Sequence, residues 1–140
     1  MSKDSCCGVE SFAEKYNMNI ALWIAQILLA ITFLLIGFAK STFSRQKLID
    51  TKQTGVVDLP IHLVRFIGIS EMTASAGLIL PWYLHIAPIL TPLAAGGLSV
   101  IMILAAMSHR QLNEPKSVRN NIILLCICLF VVIGRLTEIK

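Results

Sequence analysis

The sequence predicts an all-α, polytopic membrane protein: an antiparallel bundle of four transmembrane helices. Three observations predict it. Apolar residues make up 56% of the 140 positions and charged residues only 14%, whereas about a quarter of a soluble domain is charged. The mean hydropathy of +0.75 is concentrated in four runs, each near the roughly 20 residues a helix needs to cross a bilayer. No alternating strand pattern is present, and only helices or closed barrels satisfy the backbone in lipid. The expected spans are residues 20–39, 61–80, 86–108 and 119–136. They form one transmembrane domain, 20–136, between a polar N-terminal tail, 1–19, and a short C-terminal tail, 137–140.

The tail carries Lys3, Asp4, Glu10, Glu14 and Lys15, unlike the basic start and immediate apolar core of a cleavable signal peptide. The first run is therefore expected to be its own insertion signal. Cys6 and Cys7 are open to acylation, a disulfide, a soft metal or no role at all. With Cys126 and Cys128 inside an apolar run, the four cysteines fit no metal-ligand spacing or disulfide framework.

Ile20 to Phe38 contains no charge. Gln26, Phe33, Gly37 and Lys40 follow at helical spacing and share a face, the natural one to turn inward. Lys40, just past the run, has two readings: a partner inside the bundle, or a side chain snorkelling to the headgroups. The connection from Ser41 to Pro60 is long for a link between helices, and loops of this length tend to be functional or mobile. It is expected to hold a short surface helix and to act as a lid or interfacial segment.

The second run, Ile61 to Pro81, carries Glu71 at its centre. A charge at that depth costs about 2.5–3.5 kcal/mol on insertion scales, so such residues face a bundle interior and are functional candidates. Gly68, Glu71, Ser75 and Leu78 recur on one face, with small residues flanking the carboxylate where a neighbour can come close. Arg65 lies about 240° around the helix, so it is no intrahelical partner. Pro81 is expected to end the span, with Trp82 and Tyr83 at the interface.

A short, uncharged connection makes the second and third spans a hairpin. Ala94, Ala95, Gly96, Gly97 and Ser99 form a small-residue patch for close helix contact, and Pro88 and Pro92 are expected in the first turns, where a missing N–H costs least. His109 closes the span as a proton relay, a cofactor contact or an interfacial histidine. In the last and shortest run Asn121, Leu125, Cys128, Val132 and Arg135 share one stripe. Cys126 and Cys128 read as packing residues. The interior is expected to hold Gln26, Gly37, Gly68, Ser75, Gly97, Asn121 and Cys128.

Depth along the helices separates the polar groups. Glu71 lies about 15 Å from Ile61 at 1.5 Å per residue, with Lys40 and His109 near that same membrane edge and Arg135 near the opposite one. Glu71 is thus expected to draw Lys40 or Arg135 inward, or, protonated, to bond a neutral group such as Gln26 or Thr32.

The net charge of +4 is accounted for by cations in the connections, and no basic and aromatic cluster points to nucleic acid. Counting Lys and Arg places the first and third connections in the cytoplasm and both termini outside. No phosphate loop, metal-ligand cluster or nucleophile triad marks a hydrolase or kinase.

Gly37-x-x-Lys40, Ile67-Gly68-x-x-Glu71 followed by Gly77-Leu78-Ile79-Leu80-Pro81, Leu90-Thr91-Pro92-Leu93-Ala94-Ala95, His109, Asn121 and the closing Gly134-Arg135 together resemble the DoxX-like family of small four-helix membrane proteins. The resemblance covers about residues 20–136. It implies a four-span bundle with Lys40, Glu71, His109 and Arg135 as the family's polar positions, but no single activity. Relatives include a subunit of a thiosulfate:quinone oxidoreductase, proteins linked to amine-dehydrogenase maturation, and animal proteins that help receptor subunits assemble.

Three functions follow as expectations. The first is an intramembrane site around Glu71 for a small hydrophobic, quinone-like ligand or for protons within a membrane redox assembly, which predicts a cavity beside Glu71. The second is an accessory protein without chemistry, its polar groups fixing helix pairing. The third is an oligomeric transporter. The candidate site residues are Lys40, Glu71, His109, Arg135, Gln26 and Asn121. No metal or resident cofactor is expected, a quinone being compatible as ligand, and the chain leans away from being an enzyme in its own right. The expected partners are the lipid bilayer and either another membrane protein or further copies of the chain.

Overall fold

A computed structural model describes residues 4–51 and 53–139, with side chains from Phe12 onward, so Cys6 and Cys7 lie outside the described side chains. The described residues form five α-helices and no strand. These are α1 (Asp4–Thr42), α2 (Arg45–Asp50), α3 (Ile61–Tyr83), α4 (Leu90–Gln111) and α5 (Pro115–Ile139), with a 3-10 turn at Thr54–Val56 before α3. Four of them are long and apolar enough to cross a membrane, and the chain is an integral, multi-pass membrane protein.

The first helix departs most from expectation. The polar stretch before Ile20 does not form a separate tail but continues as helix, giving α1 39 residues. At 1.5 Å per residue that is about 58 Å, far more than a hydrocarbon core of about 30 Å. The charged positions reduce hydropathy without interrupting helix propensity, and neither Pro nor a turn cluster stands before Ile20 to stop it. The last helix also exceeds its apolar run: α5 has 25 residues and α4, with 22, is the shortest of the four.

Pro81 sits inside α3, which runs two residues further. Proline loses its own N–H bond and its ring crowds the carbonyl one turn back, but the following residues can still donate, as Leu84 N does to Leu80 O. The helix stops at a Schellman turn in which Ile86 N donates to Pro81 O (3.1 Å) and His85, at φ 55°, takes the left-handed position. Pro88 therefore lies in the connection rather than in α4, while Pro92 is in the first turn and buried.

α1 packs mainly on α3 and α4 on α5, with α3–α4 and α1–α5 contacts joining the two pairs. Ala25, Leu29, Phe33, Leu78, Leu98, Met102, Cys128 and Val131 fill the shared core. At burial of about 25 cal/mol per Å² such a core would hold a soluble bundle; in lipid, packing and polar contacts carry association instead. Ile24, Leu28, Ile31 and Leu35 of α1 and Val100, Ile103 and Met107 of α4 point outward, where lipid meets them. Of the small residues expected inside, Gly37, Gly68, Ser75 and Cys128 are buried and Asn121 is half-buried, but Gly97 is exposed. The α4 patch divides by helical phase: Ala95 and Ser99 enter the core, whereas a Cβ on Gly96 or Gly97 would meet nothing within 4 Å.

The first connection folds back over one end of the bundle. Leu48 of α2 and Val56 of the 3-10 turn pack with Ala39 and Val64 into a second small core. Ser44 caps α2 by accepting from Lys47 N at 3.4 Å, and the Arg45 guanidinium donates to the carbonyls of Val57 and Leu59. A segment so anchored is a roof, and its position decides what the bundle encloses.

Candidate functional site

α1 and α3 approach most closely where two glycines meet. A Cβ built on Gly37 would lie 2.6 Å from Gly68 O, and one on Gly68 would lie 2.7 Å from Gly37 O, both inside van der Waals contact. Lacking Cβ atoms, the backbones pass close enough for the residues three positions on to cross. Glu71 Cβ lies beside Gly37, and Lys40 Cβ beside Gly68. Side chains on a helix lean toward its N-terminus; in this antiparallel pair Lys40 leans into the membrane and Glu71 leans toward the connection. They meet in an ion pair with Nζ–Oε1 at 2.6 Å, Glu71 being fully buried and Lys40 12% exposed. The depth counted along the helix axes is bridged by side-chain direction. Glu71 Oε2 bonds to no other described group.

Lys40 also lines a cavity of about 410 Å³ enclosed by α1, α3, α4, α5 and the first connection. Its walls are mostly apolar, among them Ile36, Ile67, Ile101 and Leu124, with Thr32, Lys40, Gln53, His109 and Asn121 among the polar residues that line it. Glu71 itself does not line it and reaches it only through Lys40. The volume falls within the range of small-molecule sites, and the few polar groups among apolar walls are typical of them. Gln53, Gly55, Val56 and Leu59 of the first connection form the roof.

The roof is tied down by Glu114, which no feature of the spans singled out. α4 ends in a second Schellman turn: Glu114 N donates to His109 O at 3.0 Å, with Asn113 left-handed at φ 55°. Pro115 then opens α5 at the position where its missing N–H is harmless. The short turn brings Glu114 over His109, and its Oε2 accepts from the Thr54 hydroxyl (2.6 Å), contacts His109 Nδ1 (2.9 Å) and accepts from Ser117 Oγ (3.1 Å). The Thr54 hydroxyl first, then His109 and Ser117, hold this carboxyl below the usual carboxylate range, against a partial desolvation that raises it.

Arg135 organises a separate centre at the opposite membrane edge. Its side chain is fully buried; Nε donates to Gln26 Oε1 (2.8 Å), Nη1 to Asn19 Oδ1 (2.9 Å) and to Glu138, and Nη2 again to Gln26. Its guanidinium stacks 4.1 Å from the Trp82 ring centroid and 5.4 Å from that of Trp23. Gln26 Nε2 donates onward to Leu78 O, linking α5 through α1 to α3. A Cβ on Gly134 would run into Leu22, so α1 and α5 are tight at this edge; at the other edge the cavity lies between them.

The candidate residues thus fall into two groups. Lys40, Glu71, His109 and Asn121 gather at the roofed end; Gln26 and Arg135 gather at the other. Neither Gln26 nor Arg135 meets Glu71, and Thr32, the alternative neutral partner, bonds to Leu28 O of its own helix. Sequence reasoning missed Glu114, Thr54 and Gln53. The Asn-Glu-Pro run at 113–115 was the available signal for Glu114, since left-handed Asn followed by N-terminal Pro marks a tight turn between helices. Among the described residues, no group of three or more His, Cys, Asp or Glu could hold a metal ion.

No curated protein and no solved structure matches the chain. A family model, described as the DoxX-like family, matches residues 24–131. That stretch contains both glycines of the helix crossing, the Lys40–Glu71 pair and the His109–Glu114 contact, while Arg135 lies just beyond it. With most of its length and part or all of each of the four spans in the match, the chain belongs to the DoxX-like family.

Proposed function

We propose that the protein binds a small hydrophobic, quinone-like ligand in the roofed cavity and serves as a small, non-catalytic subunit of a membrane redox assembly. The observation that carries this reading is the cavity itself: about 410 Å³ of mostly apolar space with Lys40 exposed to it. An apolar ring and tail suit the walls, and a ring oxygen suits the Lys40 ammonium. Glu71 supports that role by holding Lys40 in the membrane rather than at the headgroups, and the pair is also the natural place for a proton to be exchanged with a bound ligand. The first and third connections face the cytoplasm in this reading. Omitting buried Arg135 and paired Lys40 leaves exposed Arg45, Lys47, Arg65, Arg110, Lys116 and Arg119 on the roofed side, against Lys15 at the other among the described residues.

The test is binding of decylubiquinone to the full chain in lipid nanodiscs, with empty nanodiscs as reference. Saturable binding is expected, lost in Ala105→Phe, which fills the cavity, and weakened in Lys40→Met. Partition equal to that of empty discs overturns the reading.

A second reading has its own observation. Gly96 and Gly97 leave a flat, lipid-facing strip on α4 with nothing within 4 Å, suited to close approach of another transmembrane helix. It favours an accessory role or an oligomer, and Gly97→Ile would then abolish cross-linking of α4 to its partner without unfolding the chain.

A further inference from the structure

We propose that the cavity recognises an amphiphile whose polar head bears a hydroxyl group, with that hydroxyl donating to Nε2 of His109. The proposal rests on the reading of the cavity as a ligand site and specifies the head group it takes.

The argument begins with Glu114. An ionised carboxylate only accepts hydrogen bonds, so the contact between its Oε2 and His109 Nδ1 requires the proton on Nδ1. In the neutral imidazole Nε2 then carries a lone pair and is an acceptor. Thr54 and Ser117 donate to the same carboxylate oxygen, so the group that fixes the tautomer is itself fixed by the 3-10 turn and α5. Nε2 adjoins Gly55, where a Cβ would stand 3.0 Å away. Glycine at this place adds no side chain against Nε2, and both residues line the cavity.

Gln53 Oε1 and Asn121 Nδ2 belong to lining residues but are themselves buried. With Lys40 Nζ and His109 Nε2, this end of the cavity has one donor and one acceptor. A ligand with carbonyl oxygens alone can answer Lys40 but leaves His109 Nε2 unpaired, which is costly. A hydroxyl answers both kinds of group, since it donates once and accepts as well. The hydroxyl meets His109 at the roof, and a second oxygen of the head meets Lys40. The tail points toward Ile36, Ile101 and Leu124.

The experiment compares 4-decylphenol with its methyl ether, two probes that differ in the hydroxyl proton, on the full chain in phosphatidylcholine nanodiscs at pH 8. Wild-type protein is expected to prefer the phenol by about tenfold, the scale of one buried hydrogen bond. His109→Phe should reduce the ratio to about one by weakening the phenol alone. Should that variant fail to fold, Gly55→Ala places a methyl against Nε2 and predicts the same collapse. Ala105→Phe should abolish both probes, locating the signal in the cavity. Equal affinity of the two probes for the wild type, or a preference that survives both His109→Phe and Gly55→Ala, overturns the hydroxyl assignment and leaves the ligand site standing. Failure of decylubiquinone alone overturns the quinone-like reading, and failure of all three probes overturns the ligand site and the assignment together.

Discussion

Gly37 and Gly68 face one another across the α1–α3 crossing, each with its carbonyl oxygen in the space the other's Cβ would occupy. The closeness of this crossing is what lets Lys40 and Glu71, three residues further along each helix, reach across it. Gly68→Ala should therefore force the helices apart and cost about 1–3 kcal/mol, the scale of overpacking a core. Gly97→Ala provides the contrast: its Cβ meets nothing, and the better helix propensity of alanine should leave stability unchanged or raise it by up to about 1 kcal/mol. Thermal unfolding in one detergent compares the two, and equal losses would show that the crossing is not tight.

Lys40 and Glu71 should behave unequally when removed one at a time. Lys40→Met strands a fully buried carboxylate, and breaking a buried pair in this way costs about 3–5 kcal/mol. Glu71→Gln leaves a lysine near the membrane edge that can swing its ammonium toward the headgroups, so its cost should be smaller. In the double variant Lys40→Met, Glu71→Gln part of the loss should return. A double-mutant cycle on unfolding free energies measures this coupling, and strict additivity would mean the pair does not act as one unit.

The four spans, the inward stripes and the depth of Glu71 were legible because lipid imposes strong constraints: length, apolarity and one polar face per helix. Partner choice was less legible. Counting rise along the axes left Lys40 and Arg135 equally open as partners drawn inward to Glu71, and the lean of side chains toward opposite ends of an antiparallel pair is what selects Lys40. Gln26 shares its helix face with Lys40 yet serves Arg135, because three to four turns separate the two on α1. Gly97 was misplaced because the inward phase of α4 falls on Thr91, Ala95, Leu98, Ser99 and Met102, and both adjacent glycines lie off it. Glu114 escaped notice because its position depends on a tight turn between helices rather than on any periodic pattern.

The attachment of the roof should depend on pH through Glu114. Its carboxyl is held below the usual carboxylate range by Thr54, His109 and Ser117. A group whose folded pKa is depressed contributes stability above its unfolded value and loses it as pH falls through the lower, folded value. Protection of the first connection from amide exchange should thus hold across neutral and mildly acidic pH and fail only below the ordinary carboxylate range. Glu114→Gln, which mimics the protonated group, should reduce protection at neutral pH and flatten the dependence. An unchanged profile in that variant would show that the roof is held by its apolar contacts alone.

Arg135 offers a test confined to the far edge of the membrane, because both tryptophans of the chain, Trp23 and Trp82, flank its guanidinium. Arg135→Lys keeps the charge but replaces a planar fork with a point charge, so the paired bonds to Gln26 and the stack on Trp82 cannot both be reproduced. The expected loss is about 2–4 kcal/mol, combining bonds to a charged group with a desolvated cation–π contact, together with a change in tryptophan emission as the rings lose their cover. Lys40→Met, at the opposite edge, should leave the folded-state emission unaltered while lowering stability. If Lys40→Met shifts the emission as much as Arg135→Lys does, the two polar centres are coupled through α1, and the separation into a ligand end and a structural end does not hold.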